Sequence, residues 1–459
     1  MTIDTSTLAN GFSGEVVLPG DASFDETRAI FNSMIDKRPA VIARPATVDD
    51  VIAAVNFARS NELTVAVRSG GHSVAGASAC DDGIVIDMRL MNEVTVDPAK
   101  RTARAGGGAS WGDFDTATQA HGLGTTGGRV STTGVAGLTL GGGSGWIERK
   151  FGLACDNLIA VELVTADGST VRASETENPD LFWALHGGGG NFGIATAFEF
   201  KLYPLGPEIS VAMLLYPREQ APVVGRVYRD LAESAPDELG GGFAFLTAPP
   251  EEFVPVELQG TVMVGAIVTW IGAPDALQGL IQPLLDLSPS VEVVMPVPYA
   301  HFQSMIDDPP GFRNYWTAEY LDELPDEAID VFCAWGMKQK PSPTQLIVFP
   351  WGGQVARVAD GATPLTQRGA PWVFHPLALW EGAENDSFWM QWARGAAADM
   401  RPFASGGVYL NFVGDEGEDR VVAAFGKDNY ERLAEIKAKY DPTNLFRLNQ
   451  NIKPRAAAH

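Results

Sequence analysis

Cysteine is scarce in this 459-residue chain. Cys80, Cys155 and Cys333 form an odd set, far apart, with neither metal-ligand spacing nor the density of a disulfide framework. No metal site is expected. Positive charge is also short: 33 Lys and Arg stand against 57 Asp and Glu, a formal net charge of −24. Such a field repels phosphate backbones and anionic lipid, so neither nucleic acid nor a membrane surface is an expected partner. No run approaches the roughly 18 apolar residues of a spanning helix. The N-terminus, MTIDTSTLANGFSG, lacks a basic stretch followed by an apolar one. A reducing, cytoplasmic setting is therefore the expectation. Nothing in the pattern sets an oligomeric state.

What is present is enough for a large core. Hydrophobic residues make up 45% and charged residues 20%, which excludes a disordered or fibrous chain. At roughly 150 residues per domain the length allows two or three domains. Glycine numbers 50, about 11% against a usual ~7%. The excess is clustered.

The first ~45 residues read as helical and peripheral. Thr47 with Asp50 has the capping-box pattern ahead of apolar residues at helical spacing. TVAVR (64–68) and IVIDM (84–88) read as buried strands, and VTVDPAKRTARA (94–105) as a hairpin. SWGDFDTATQAHG (110–122) has a helix start and a glycine stop. A hairpin around Asp167-Gly168 and a helix, glycine loop and strand over 178–204 follow. Composition shifts near Pro204-Leu205-Gly206-Pro207. AMLLYP, GFAFLTA, VMVGAIVTW, QLIVFPW and WVFHPLALW then read as strands of one antiparallel sheet, with helices at AHFQSMI and DSFWMQWARGAAADM. The end is an amphipathic helix stopped at Asp441-Pro442, then an extended segment. The class is α+β, divided at 1–206, 207–410 and 411–459.

Three glycine stretches carry the chemistry. In Arg68-Ser69-Gly70-Gly71-His72-Ser73 a strand empties into two glycines that bring main-chain N–H groups close to a ligand, with His72 at the mouth. The second holds Gly134, Gly137, Gly141, Gly142, Gly143 and Gly145, a nest able to hold a pyrophosphate without basic side chains. The third runs from Gly187 to Gly190 and on through Asn191, Phe192 and Gly193. The spacing is not GxGxxG within a βαβ unit, which disfavours a nicotinamide site of that kind. Each stretch alone also fits glycines selected for tight packing.

Taken in order, RSGGHS, TGVAGLTLGGGSGWIERKFGLACDN, FWALHGGGGNFGI and YDPTNLFRLNQNI resemble the berberine-bridge-enzyme-like FAD-linked oxidases of the vanillyl-alcohol-oxidase superfamily. The resemblance is close over ~38–207 and ~405–454 and covers the middle in layout. It implies a PCMH-type FAD-binding domain of two α+β subdomains, and a substrate domain whose antiparallel sheet is flanked by helices. It implies FAD bonded through the His72 imidazole to the flavin 8α-methyl carbon. Arg68, Ser69, Gly70, Gly71 and Ser73 would form the pyrophosphate-holding turn. Thr133, Gly134, Gly137, Gly143 and Gly145, then Asp156 and Asn157, match FAD-contacting positions. Gly193 and Ile194 match the adenine side, and Asn449 and Asn451 the closing segment. Some members add a second link from a cysteine to flavin C6. That cysteine is replaced here by Val130, and Cys155 lies in a different segment, so a single tether at His72 is expected.

The same resemblance implies hydride transfer to flavin N5 from a small-molecule alcohol or related C–H or C–N donor, a sugar or secondary metabolite, with O₂ as acceptor and H₂O₂ as product. Thr133 sits where members gate oxygen near flavin C4a, and its small side chain favours an oxidase. Trp146 would lie beside the ring. Tyr409 matches a segment lining the ring face, whose second tyrosine is Phe412 here, so Tyr409 becomes the candidate base. His375, on a strand that often carries a catalytic carboxylate in the family, is a second candidate, because a histidine titrates near neutrality. Gln354 and Arg357 are further candidates for the pocket. Trp270, Tyr299, Phe302, Tyr315, Trp316 and Trp351 are candidates to stack on a sugar or an aromatic ring, and equally ordinary sheet core. Two other readings stay open: a dehydrogenase with another acceptor, and a flavin-bearing binding protein.

Overall fold

The computed structural model describes residues 4–307 and 310–456. Up to Pro204 the strands form two main sheets and a small two-stranded one. The first sheet has the order Glu15–Val17, Val41–Arg44, Ile84–Asp87, Val65–Arg68, with the last three strands parallel and the first antiparallel to its neighbour. The second sheet is antiparallel: Val94–Asp97, Thr102–Gly106, Ile194–Lys201, Leu158–Val164, Thr170–Ser174. Helix starts follow local chemistry. Thr47 caps Val48–Ser60 and Ser110 caps Trp111–Gln119, each in a reciprocal box with the aspartate three residues on.

The opening 45 residues differ from expectation. Two helices of 4 and 5 residues occur there, but so do two strands. Val41, Ile42 and Ala43 are fully buried between neighbouring strands. An apolar run this short shows no period, so its depth cannot be read from sequence.

From Glu208 to Trp380 an eight-stranded antiparallel sheet takes over. Its path is Val291–Pro298, Glu208–Pro217, Val262–Trp270, Leu239–Thr247, Gln345–Pro350, Trp372–Trp380, Arg313–Trp316, with Glu319–Leu321 also on Trp372–Trp380. Period-two alternation divides its side chains. Ala212, Leu214, Tyr216, Val264, Ala266 and Val268 pack under the helices Ala221–Ser234, Ala276–Leu285, Asp326–Gly336 and Asp386–Met400. Of the intervening residues, Val211 and Ile267 pack against Trp146, Ile147 and Leu205 of the first half of the chain, and Leu215 and Met263 against Ala248 and Val254. A buried contact joins the halves: Gln303 Nε2 donates to the Asp115 carboxylate at 3.1 Å and to the Gly128 carbonyl.

The chain then returns. Lys437, on the helix Lys427–Tyr440, is buried and donates to Asp441 at 2.6 Å and to the carbonyls of Asn191 and Phe446. Asn191 in turn receives the N–H of Ile452 and donates to the Gln450 carbonyl. The last segment is thereby locked against the third glycine stretch. Among the described residues no helix is long and apolar enough to cross a membrane.

Candidate active site

The three glycine stretches meet around one cavity of about 1150 Å³, roofed by the free face of the eight-stranded sheet. Pockets for a single small ligand run to roughly 300–1,000 Å³, so this one has room for a large ligand and a smaller one beside it. A Cβ on Gly70 would stand 2.2 Å from the Gly134 nitrogen, and one on Gly134 would stand 2.2 Å from the Gly70 nitrogen. The first two stretches therefore touch main chain to main chain, and no larger residue fits at either position. Gly71, at φ +76°, turns the chain toward His72.

Ser69, Gly70, Gly71, His72, Ser73, Thr133, Gly134, Gly137, Gly193, Ile194 and Asn449 all line this cavity. Ser69 Oγ and Asn449 Oδ1 are buried there without a partner. A floor of main-chain N–H groups, a free hydroxyl and a free amide oxygen suits the phosphates and hydroxyls of a dinucleotide such as FAD.

Arg68 is a correction. Its guanidinium is buried behind the turn, donating to the carbonyls of Thr27 and Arg28, with Asp87 at 3.9 Å. Burial pulls it down to about 10. Gly143, Gly145, Asp156, Asn157 and Asn451 also stand off the cavity wall. The N–H of Gly143 donates to the Tyr409 hydroxyl and that of Gly145 to Glu148. Asp156 pairs with Arg368, and Asn157 donates to the carbonyls of Phe151 and Leu153. These four brace the floor from behind, whereas the Asn451 Oδ1 is buried without a partner.

His72 stacks on Phe31 with ring centroids 4.4 Å apart. Burial holds its imidazole down to about 4, against a smaller opposing pull from Asp307, so it is neutral with a free nitrogen lone pair. Val130 lines the cavity nearby. Cys155 does not: it is fully buried, its Sγ sits against Asp156, and burial raises its thiol.

The two candidate bases separate. Tyr409 is off the wall and buried. Its hydroxyl accepts the N–H groups of Gly143 and Ser144 at 2.6 and 3.0 Å, and burial raises its pKa. It is a brace between the second glycine stretch and the C-terminal segment, which corrects its reading as a base.

His375 does line the cavity. Its Nδ1 is 2.9 Å from the Thr317 carbonyl, which only accepts, so Nδ1 carries the hydrogen. Nε2 is left buried and unpartnered, a free lone pair. Burial lowers this imidazole to about 4. Phe412 stacks on it at 4.5 Å and Trp316 meets it edge-on. The pattern on the strand 372–380 names His375 but not its tautomer, which tertiary contact alone sets.

Arg129 was not legible from sequence. It lines the cavity, lies 4.3 Å from the Phe349 centroid and 4.9 Å from that of Trp146, and pairs with buried Glu148 at 2.9 Å. Its only sequence signal is a cation inside a glycine-rich stretch. Trp146 is on the wall, its indole N–H donating to the Arg129 carbonyl. Of the six middle-region aromatics singled out in sequence, Phe302 and Trp316 reach the cavity and Trp270, Tyr299, Tyr315 and Trp351 do not, while Phe253 and Phe349 line it as well. Gln354 and Arg357 stand elsewhere too, with Arg357 paired to Asp237.

Residues 39–174 match the family model described as FAD binding domain, and residues 408–453 match that described as berberine and berberine like. The (R)-6-hydroxynicotine oxidase of Paenarthrobacter nicotinovorans is 32% identical over 99% of this chain and 100% of its own. The xylooligosaccharide oxidase of Thermothelomyces thermophilus is 30% identical over 92% of this chain and 89% of its own. The crystal structure of 6-hydroxy-D-nicotine oxidase from Arthrobacter nicotinovorans superposes with a TM-score of 0.85 at 29% identity, covering 97% of this chain and 99% of that one.

Proposed function

The chain belongs to the berberine-like FAD-linked oxidoreductases, and from that premise we propose an oxidase whose FAD is bonded through His72 alone and whose product is H₂O₂. The donor is an alcohol or a related C–H or C–N donor: one hydride and one proton leave it, and O₂ takes two electrons and two protons. Bound FAD supplies the two-electron acceptor and the route to O₂.

The chain's own residues supply the rest. Ser69, Gly70, Gly71, Ser73, Gly134, Gly137, Gly193, Ile194 and Asn449 would hold the dinucleotide. The neutral His72 imidazole, at the mouth of that turn, has the free nitrogen a covalent link needs. Val130 has no thiol to add a second. His375 receives the hydroxyl proton at Nε2 while the Thr317 carbonyl fixes the ring. Its low proton affinity keeps it uncharged at neutral pH and makes it pass the proton on. Thr133, small and on the wall, leaves O₂ a path. The three unpaired cysteines accord with a cytoplasmic setting.

The observation that carries this reading is the meeting of His72, the glycine floor and His375 on one cavity. Acid precipitation should carry the yellow colour down with the protein, and His72→Ala should release FAD to the supernatant. Tryptic digestion should yield one flavopeptide, containing His72. Thr133→Leu should slow reoxidation of photoreduced enzyme by air at least tenfold, about 1.4 kcal/mol of barrier. A colourless wild-type pellet would refute the tether, and reoxidation that takes hours in air would refute the oxidase.

A further inference from the structure

The relatives' names, a hydroxynicotine oxidase and a xylooligosaccharide oxidase, leave the donor open. The roof of the cavity narrows it. Val211, Met213, Leu246, Ile267, Val293 and Met295 all project onto it from four adjacent strands. Met213 stands opposite both Ile267 and Val293, and Val211 opposite Met295, so these side chains share one face. The result is a continuous aliphatic and thioether surface that ends at Phe253 and Met305, 40% and 46% exposed.

Most polar groups along this surface are already engaged, the Gln345 amide on the neighbouring strand being the exception. The Thr247 hydroxyl donates to the Ser342 carbonyl and accepts the Ser342 N–H. The Ser342 hydroxyl bonds Lys340 and Thr344 main chain, and the Trp316 indole donates to Asn314. A saccharide on this roof would have several hydroxyls stripped of water with no partner, each weakening binding by about an order of magnitude. Thioethers instead adapt to irregular apolar shapes and favour aromatic rings.

At the inner end the polar character changes. His375 offers one lone pair, and Arg129 presents a guanidinium whose partner Glu148 stands behind it, off the wall. The wall also carries two carboxylates, Asp307 engaged by Ser131 and Glu251 exposed to solvent, but at the His375 end a protonated amine would meet the Arg129 cation.

We propose that the donor is a neutral, mostly apolar carbinol, aryl or alicyclic, whose body lies on the Met213–Met295 face and whose single hydroxyl reaches His375. The inference rests on the oxidase reading of this same site and names its substrate class. Oxidation converts R₂CHOH and O₂ to R₂C=O and H₂O₂. The opposing classes are saccharides and protonated amines.

The test uses the flavin-loaded enzyme. Anaerobic titration with cinnamyl alcohol, perillyl alcohol, xylobiose and benzylamine is followed by the change in flavin absorbance, and H₂O₂ release is measured separately in air. Both alcohols should bind at least 100-fold tighter than xylobiose or benzylamine. Met213→Asp should weaken alcohol binding tenfold or more. Met213→Thr, which adds no charge, should weaken it several-fold and keeps the test intact where the aspartate does not fold. Equal or tighter binding of xylobiose or benzylamine overturns the proposal, as does unchanged alcohol binding in both folded variants. Tight alcohol binding without H₂O₂ release supports the substrate class and instead sinks the oxidase reading.

Discussion

Glycines from three stretches make one side of the cavity, and alternate residues of a sheet face make the other. On the floor the main chain does the binding and side chains are excluded by contact, as at Gly70 and Gly134. On the roof the main chain is consumed in strand pairing and side chains alone meet the ligand. The first arrangement is intolerant of change and suits a cofactor that never varies. The second accepts substitution at every other position and suits a substrate that does.

The largest effect should come from the floor. Gly70→Ala or Gly134→Ala forces a Cβ into main chain 2.2 Å away, a clash that costs about 3 kcal/mol or more because neither strand of chain has room to move. Little flavin-loaded protein should accumulate, as read from flavin absorbance per chain. Gly137→Ala sharpens the contrast: a Cβ there meets nothing within 4 Å, so the fold should survive. Any fall in its flavin content would then report on the ligand's own space.

Arg129→Met should cost about 3–5 kcal/mol, because it leaves Glu148 buried without its cation. Adding Glu148→Gln should recover most of that in denaturant titration. Full stability of the single variant would mean that the pair stabilises nothing.

His375 gives a pH-dependent effect of intermediate size. Its folded-state value of about 4 lies below the ordinary 6.5, so the unfolded chain binds a proton first as pH falls. Its stabilising contribution is complete above pH 6.5 and is lost as pH drops toward 4, on the order of 3 kcal/mol. His375→Gln should flatten that part of the stability curve and lower kcat by about 10²-fold or more. A variant with unchanged kcat would remove His375 as base.

The smallest effect should be at Tyr409. Tyr409→Phe leaves the buried N–H groups of Gly143 and Ser144 without their acceptor and removes one bond of the Asn411 amide, about 2 kcal/mol by thermal melting, with kcat changed less than tenfold. A thousandfold loss of kcat at native stability would restore Tyr409 as a base.

The floor was legible in sequence because glycine is a local signal: RSGGHS states its turn within six residues. The capping boxes at Thr47 and Ser110 were legible for the same reason. The roof was not. Met213, Ile267 and Met295 lie on separate strands, and which of two alternating sets faces the ligand depends on packing with helices elsewhere. The split between Tyr409 and His375 was hidden likewise, since it turns on hydrogen-bond partners far along the chain at Gly143 and Thr317. Gly143, Gly145, Asp156 and Asn157 share a segment with wall residues, and sequence proximity does not separate a wall from its backing.

The contacts of Lys437 and Asn191 have a consequence for biosynthesis. The segment that carries Asn449 and is clamped by Asn191 is translated after the whole eight-stranded sheet. A ribosome releases the first half of the nucleotide site some 250 residues before the part that closes it. A nascent chain can pair its early strands during synthesis, but its cofactor pocket stays open along one side until residues 449–452 have emerged. Flavin capture therefore waits for that segment, and a chain ended near residue 410 would carry its glycine floor uncovered.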